Sequence, residues 1–212
     1  MKQAMIFAAG LGTRLHPLTL TMPKALVPVG GQPLLYHVVT KLKAAGFCRI
    51  VINVHHFASQ ITSYLAANQH FGIDIRISDE SAQLLETGGG IKKARHLFDT
   101  TCPVLIHNVD ILSNVDVAQF YDHAADTRPD ALLLVSQRQT KRYLLFDSHQ
   151  HLQGWTNIDT GEVKGPAATH PSPFTLHPSP FTLHHQPVSA QPRFLGHPRH
   201  QPCPLPAHGR LA

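Results

Sequence analysis

The sequence predicts an α/β fold, and three observations support this prediction. β-branched apolar runs, such as residues 50–54, alternate along the chain with segments whose apolar residues recur at helical spacing. A glycine loop follows the first apolar run, at the position where a parallel strand ends at a ligand crevice. The composition changes abruptly after residue 164. We therefore expect a Rossmann-like, mostly parallel sheet flanked by helices, followed by a disordered C-terminal tail.

The individual elements follow in a regular order. Residues 4–8 form the first predicted strand, and Pro33 marks the start of a helix that Gly46 ends. The later elements are a strand over 49–55, a helix over 59–68, a strand over 73–77, a helix over 91–98, strands over 104–107 and 131–135, and a hairpin within 143–155. Strands joined through helices pair in parallel, with ligands bound at their carboxyl ends.

The loop after the first strand has the chemistry of a polyphosphate site. Gly10 and Gly12 allow the backbone to approach a ligand closely, so that N–H groups can point at phosphate oxygens. Arg14 can bind a phosphate in bidentate fashion, and Lys24 supplies a second positive charge. A dinucleotide fingerprint would need a third glycine where Leu15 stands, and the P-loop sequence is absent. The simpler alternative is a tight strand-to-helix turn.

Two further segments follow predicted strands. Asp110 comes shortly after the strand over 104–107, at the same sheet edge as Gly10, where a carboxylate can bind Mg²⁺ together with phosphate. An Asp after a strand is also a common turn-former or helix N-cap. Residues 79–90 form a loop with three consecutive glycines before a helix. This loop is either a ligand-contacting segment or a flexible connector.

The extended motif resembles that of the sugar-1-phosphate nucleotidyltransferases. Its elements here are Gly10, Gly12, Thr13, Arg14, Leu15, Pro17, Leu18 and Thr19, then Pro23, Lys24, Leu26, Pro28 and Val29, then Pro33 and Leu34. Residues 84–94 and 155–157 look most like the N-acetylmuramate-1-phosphate uridylyltransferases, and mannose-1-phosphate guanylyltransferases have similar motifs. The resemblance covers residues 1–164 and implies the nucleotide-diphospho-sugar transferase fold.

The resemblance also implies a reaction and its residues. A sugar-1-phosphate would attack the α-phosphorus of an NTP, with UTP favoured over GTP and Mg²⁺ as cofactor, giving a nucleotide sugar and pyrophosphate. The catalytic residues would be Arg14, Lys24 and Asp110, and Asp110 would be the metal ligand. The nucleotide-binding residues would be Ala8, Ala9, Gly10, Leu11, Gly12, Thr13, Arg14, Lys24, Glu80 and Gly88. The substrate-binding residues would be Glu86, Thr87, Gly89 and Asn108.

The tail differs sharply from the rest of the chain. Residues 165–212 hold 11 of the 17 prolines, contain the perfect tandem repeat 170–176 and 177–183, and lack any Asp or Glu. Such composition predicts disorder. We expect an incomplete nucleotidyltransferase domain over 1–164 and a Pro/His-rich tail over 165–212, which is either an out-of-frame sequence or a Pro-rich linker. The alternatives to an active enzyme are a catalytically impaired nucleotide-binding fragment and a metal-associating Pro/His-rich protein.

Composition excludes several other classes. The tail contributes +3 of the net charge of +5, because all 13 acidic residues lie within the first 162 residues, and no cluster of cations interleaved with aromatics suggests nucleic acid. The three cysteines are too scattered for a disulfide framework or a zinc site. No signal peptide or 18-residue apolar stretch is present, so we expect a cytoplasmic chain without membrane contact. The sequence does not predict an oligomeric state.

Overall fold

The chain divides into two compact units. The computed structural model describes residues 1–135, 139–149, 151–168 and 175–178 of the 212 residues. One unit contains Met1–Arg128, and the other begins at Pro129. The expected boundary after residue 164 therefore lies inside the second unit.

The first unit is built on a four-stranded parallel sheet. Its strands in chain order are β1 (Lys2–Phe7), β4 (Phe47–Val54), β5 (Asp74–Asp79) and β6 (Val104–Asn108), with the small antiparallel pair β2 (Pro28–Val29) and β3 (Gln32–Pro33) inserted after β1. The strand order is β5-β4-β1-β6, and every pair is parallel. β1 and β4 are almost completely buried, because both strands are central and consist of apolar runs. The predicted α/β class with a mostly parallel sheet is confirmed.

Four helices accompany this sheet. They are α1 (Leu34–Ala44), α2 (Ala58–Ala67), α3 (Glu86–Ala94) and α4 (Val117–Thr127). α1 begins directly after Pro33, as expected, and buries Leu35, Val39 and Leu42 completely. Asp116 caps α4 by accepting hydrogen bonds from two backbone amides of its first turn, each at 3.0 Å. Within the described ranges, none of the helices combines the length and apolar character that a bilayer span needs.

Two sequence-based expectations for this part of the chain were wrong. α3 begins at Glu86 rather than at residue 91, so the three consecutive glycines are helical and do not form a loop. Packing outweighs the low helix propensity of glycine here: Gly90 lies close to the buried carboxyl group of Glu80, where an added Cβ would lie 2.8 Å from Oε1. Residues 131–135 form no strand. The described strands do not pair with these residues, so their backbone lacks the hydrogen bonds that define a sheet.

The second unit contains an antiparallel sheet. Its strands are β7 (Arg142–Phe146), β8 (Leu152–Asn157), β9 (Glu162–Lys164) and β10 (Thr175–Pro178), in the order β10-β7-β8-β9. β7 and β8 are the predicted hairpin. β10 corrects the expectation of disorder throughout the tail, because β7 offers its edge hydrogen-bonding groups and a proline is tolerated at the end of an edge strand. Residues 165–168 of the tail are also described, whereas its remaining residues, with six of the seven predicted metal-associating histidines, lie outside the described residues.

Candidate active site

A cleft of about 250 Å³ opens at the carboxyl ends of β1 and β6. After β1, the chain adds β4 and β5 on one side of β1 and later adds β6 on the other side. This reversal creates a crevice beyond the strand ends, which is the general ligand position in open α/β sheets. The cleft is lined by Phe7, Ala8, Gly10, Arg14, Lys24, Asn108, Val109 and Asp110.

The glycine loop that forms one wall has a defined shape. Gly12 adopts φ +66°, in the left-handed region that favours glycine. Its carbonyl accepts hydrogen bonds from the Leu15 amide and the Thr19 hydroxyl, both at 2.8 Å. A Cβ on Gly12 would lie 2.9 Å from Cγ2 of Thr19 and 3.1 Å from Cβ of Lys24. Gly12 therefore allows the segments that carry Arg14 and Lys24 to approach each other.

Two cations and one carboxylate face this cleft. Lys24 is half-buried and forms an ion pair with Asp110, which brings together the two ends of the predicted site across 86 residues of sequence. Arg14 is exposed and, within the described part of the chain, forms no ion pair. The cleft thus has a net positive charge that suits a polyanionic ligand.

A buried polar pair supports the wall from behind. Asn53, at the carboxyl end of β4, is 2% exposed, and Glu80 is fully buried. Oδ1 of Asn53 accepts from the Ala8 amide at 2.8 Å, and its Nδ2 donates to Oε1 of Glu80 at 2.9 Å. Oε2 of Glu80 accepts from the Leu85 amide at 3.2 Å. The sequence patterns did not single out Asn53, although its signal was present as the one polar residue within an apolar β-branched run.

Neighbouring residues order the other wall of the cleft. Nδ1 of His107 is hydrogen-bonded to the Asn108 carbonyl at 2.7 Å. Burial lowers the pKa of His107 below its ordinary value, and this hydrogen bond only partly opposes the effect. Lys41 of α1 donates to the carbonyl and hydroxyl oxygens of Ser113, at 2.7 and 3.0 Å. Burial lowers the pKa of Lys41 below its ordinary value, and the attraction of the Asp116 carboxylate only partly opposes this effect.

The sequence-predicted residues separate into two groups. Ala8, Gly10, Arg14, Lys24, Asn108 and Asp110 line the cleft together. Ala9, Leu11, Gly12 and Thr13 belong to the same loop without lining the cleft. Glu80 precedes α3, and Glu86, Thr87, Gly88 and Gly89 form its first turn. Glu80 is the only member of the second group that is fully buried. Their binding roles stay predictions.

The donor set at the cleft bears on metal binding. Within the described ranges, no group of three His, Cys, Asp or Glu side chains is placed to hold a metal ion. Asp110 is the single carboxylate among the lining residues. Mg²⁺ commonly binds through one or two carboxylates together with substrate phosphates and waters, rather than in a cage made only of protein ligands. The residues present therefore fit a metal that arrives with a polyphosphate.

Comparison with known proteins identifies the family. The sequence profile of the nucleotidyl transferase family matches residues 3–145, which is more than half of the chain. The chain belongs to this family. The matched segment includes every residue that lines the cleft.

Curated relatives of the chain have names that specify different nucleotides. It is 49% identical over 111 residues to an N-acetylmuramate alpha-1-phosphate uridylyltransferase from Caulobacter vibrioides, over 51% of this chain and 46% of that protein. It is 33% identical over 131 residues to a mannose-1-phosphate guanylyltransferase from Mycobacterium tuberculosis, over 61% of this chain and 36% of that protein. The chain spans about half the length, or less, of these curated relatives.

A solved structure shares the fold of this chain. HddC from Yersinia pseudotuberculosis, complexed with GMP-PN, superposes with a TM-score of 0.60 at 24% identity, over 78% of this chain and 72% of that protein. At this level of identity the similarity concerns the fold alone.

Proposed function

We propose that this chain carries out nucleotidyl transfer from an NTP to a sugar-1-phosphate, with UTP as the favoured donor. A phosphate oxygen of the sugar-1-phosphate forms a new bond to the α-phosphorus. The bond from that phosphorus to the bridging oxygen of the β-phosphate breaks, and pyrophosphate leaves with the bonding electrons. The products are a nucleotide sugar and pyrophosphate.

The observation that carries this proposal is the Lys24–Asp110 ion pair at the cleft. Lys24 follows the glycine loop, and Asp110 follows β6, so residues distant in sequence meet beside Gly10 and Arg14. Positive charge, backbone close to the ligand position and one carboxylate are the groups that binding of a metal-bound triphosphate requires. The membership of the nucleotidyl transferase family supports the same assignment.

In this proposal the chain's own residues position and neutralise the reactants. Arg14 and Lys24 bind the triphosphate and stabilise the negative charge that develops on the leaving pyrophosphate. Asn108 lies on the opposite wall, where it would orient the sugar-1-phosphate. A divalent metal, Mg²⁺ in our proposal, would be held by Asp110 and would further neutralise the phosphates. The mechanism needs no protein nucleophile.

The donor and acceptor are proposed from the relatives. The 49% identity to a uridylyltransferase acting on N-acetylmuramate 1-phosphate favours UTP and that acceptor. GTP and mannose 1-phosphate are the alternative pair, supported by the 33% identity to a guanylyltransferase. Each pair is tested directly by supplying one NTP with one acceptor.

The decisive experiment measures pyrophosphate release by the full chain. We expect release with a sugar-1-phosphate and UTP, and we expect Lys24→Ala and Asp110→Ala each to reduce turnover at least about a hundredfold, since each removes a charge at the reacting phosphates. The matched control is Lys2→Ala, because Lys2 forms an ion pair with Asp122 at the opposite end of β1. Turnover should be unchanged in this control. Retention of full activity in the Lys24 and Asp110 variants would contradict the proposal.

A second candidate is a nucleotide-binding chain that lacks turnover. The chain spans only about half of its curated relatives, and no acidic residue follows Glu162. Residues 163–212 therefore offer no side-chain carboxylate that could serve as a second metal ligand. Calorimetric binding of UTP without pyrophosphate release for any acceptor would favour this second function.

A further inference from the structure

The buried Asn53–Glu80 pair lies behind the cleft, and the proposed reaction does not use it. Both carboxyl oxygens of Glu80 and both polar atoms of the Asn53 side chain are hydrogen-bonded. The pair connects Ala8, which lines the cleft, with Leu85, which directly precedes α3. Buried groups without such partners are costly, so the hydrogen bonds specify how β1, β4 and α3 meet.

The backbone of Glu80 is fixed as well. Its amide donates to the Val54 carbonyl at 2.7 Å, and its own carbonyl is hydrogen-bonded to Nδ1 of His55 at 2.7 Å. These contacts attach the residue after β5 to the end of β4. Neither the main chain nor the carboxyl group of Glu80 is therefore free to turn toward the cleft without breaking buried hydrogen bonds.

Packing restrains the Glu80 side chain further. α3 reaches Oε1 of Glu80 at Gly90, where an added Cβ would lie 2.8 Å away, and the same Cβ would lie 3.3 Å from Phe7 and 3.4 Å from Nδ2 of Asn53. Glycine at position 90 thus seals the pair between the helix and the sheet. The pair is part of the support of the site rather than of its surface.

We infer that Asn53 and Glu80 are positioning residues, which hold the Ala8 amide and the start of α3 where the bound NTP needs them. Glu80 therefore acts on the nucleotide through Asn53 and Ala8, and not by the direct contact that the family resemblance implies. The inference rests on the proposed NTP site, and it adds Asn53, which the sequence analysis did not single out.

A residue swap tests this inference in the full chain. In Glu80→Gln, an NH2 group replaces one of the two carboxyl oxygens that accept hydrogen bonds from Asn53 and from the Leu85 amide, so one of these bonds is lost. In Asn53→Asp, the new carboxylate oxygen faces Oε1 of Glu80, and no donor lies between the two acceptors. In the double variant the roles are exchanged. The new amide at position 80 can donate to the new carboxylate at position 53, while the Ala8 and Leu85 amides each keep an acceptor. We expect each single variant to bind UTP about fivefold more weakly, as the loss of one buried hydrogen bond predicts, and the double variant to recover at least most of this loss.

Amide hydrogen exchange supplies a readout that needs no ligand. The Ala8 and Leu85 amides should exchange faster in the single variants and regain protection in the double variant. The matched control is Gln3→Glu, because Gln3 is a fully buried amide that bonds to Asp99 and Cys102 at the other end of β1. This control should lower thermal stability without changing UTP affinity or Ala8 exchange.

The outcomes separate the possible roles. UTP affinity that falls in Glu80→Gln and stays low in the double variant, while Ala8 protection returns, would overturn the inference in favour of direct contact with the nucleotide. Unchanged affinity and unchanged exchange in both single variants would overturn it in favour of a passive buried pair. Failure of the unsubstituted chain to bind any NTP contradicts the proposed function, whereas the exchange measurement still decides whether the pair holds Ala8 in place.

Discussion

Gly10 and Gly12 have different tasks although they are two residues apart. Gly12 needs a left-handed backbone and meets Thr19 and Lys24, so its lack of a side chain serves the shape of the loop. Gly10 has open space around its missing Cβ and lines the cleft, so its lack of a side chain serves the ligand. A glycine motif thus combines a folding requirement with a binding requirement.

Alanine substitutions should separate these two requirements. Gly12→Ala should lower the free energy of unfolding by about 1–2 kcal/mol, the typical cost of a left-handed residue with a Cβ. Gly10→Ala should leave stability nearly unchanged and weaken UTP binding, since its methyl group enters the cleft. Urea denaturation measures the first effect, and calorimetric titration measures the second. Equal losses of stability in both variants would contradict the distinction.

The sequence predicted those site residues that belong to short motifs, and it missed the one whose role depends on contacts between distant residues. Gly10, Arg14, Lys24 and Asp110 were predicted because short motifs carry them, and all four line the cleft. Asn53 was not predicted, because its role depends on Ala8 and Glu80, which are distant in sequence and meet only in the folded chain. A single sequence contains no direct record of such pairings.

At the scale of the element, α3 shows how tertiary contacts override local preference. Three consecutive glycines disfavour a helix, and the sequence predicted a loop. The helix forms nevertheless, and within it Gly90 lies so close to the carboxyl group of Glu80 that an added Cβ would lie 2.8 Å from Oε1. The three glycines lower the intrinsic stability of the helix, and in return Gly90 lets α3 lie close to Asn53 near the end of β4.

The glycines of α3 provide a matched pair of substitutions. Gly88→Ala should raise the free energy of unfolding by up to about 1 kcal/mol, because alanine favours the helix and the added Cβ meets no atom within 4 Å. Gly90→Ala should lower it by about 1–3 kcal/mol, through overpacking against Glu80 and Phe7. Thermal unfolding checks both signs. Stabilisation by Gly90→Ala would show that α3 has room to move away.

At the scale of the whole molecule, the cleft and the sheet of β7 to β10 belong to different units. Every residue that lines the cleft lies within Met1–Arg128. The parallel sheet was predictable, because each strand and helix has its own periodic signal. The division at Pro129 and strand β10 were not, because the first depends on contact density and the second on an edge that β7 leaves open.

A truncated chain tests this separation. A fragment of residues 1–128 should bind UTP with an affinity within about threefold of that of the full chain, because the truncation removes no residue that lines the cleft. This corresponds to a change of less than about 0.7 kcal/mol in the free energy of binding. Circular dichroism serves as the control that tests whether the fragment is folded. A folded fragment that does not bind UTP would show that the second unit contributes to nucleotide affinity.

The position of β10 within the tandem repeat has an evolutionary consequence. β10 covers the end of one seven-residue copy and the first two residues of the next, and the Thr-Leu-His sequence that starts it recurs at residues 182–184. The gene therefore encodes a second copy of the residues Thr-Leu-His that begin the edge strand β10. Loss of one seven-residue copy would therefore leave the residues Thr-Leu-His at positions 175–177 unchanged.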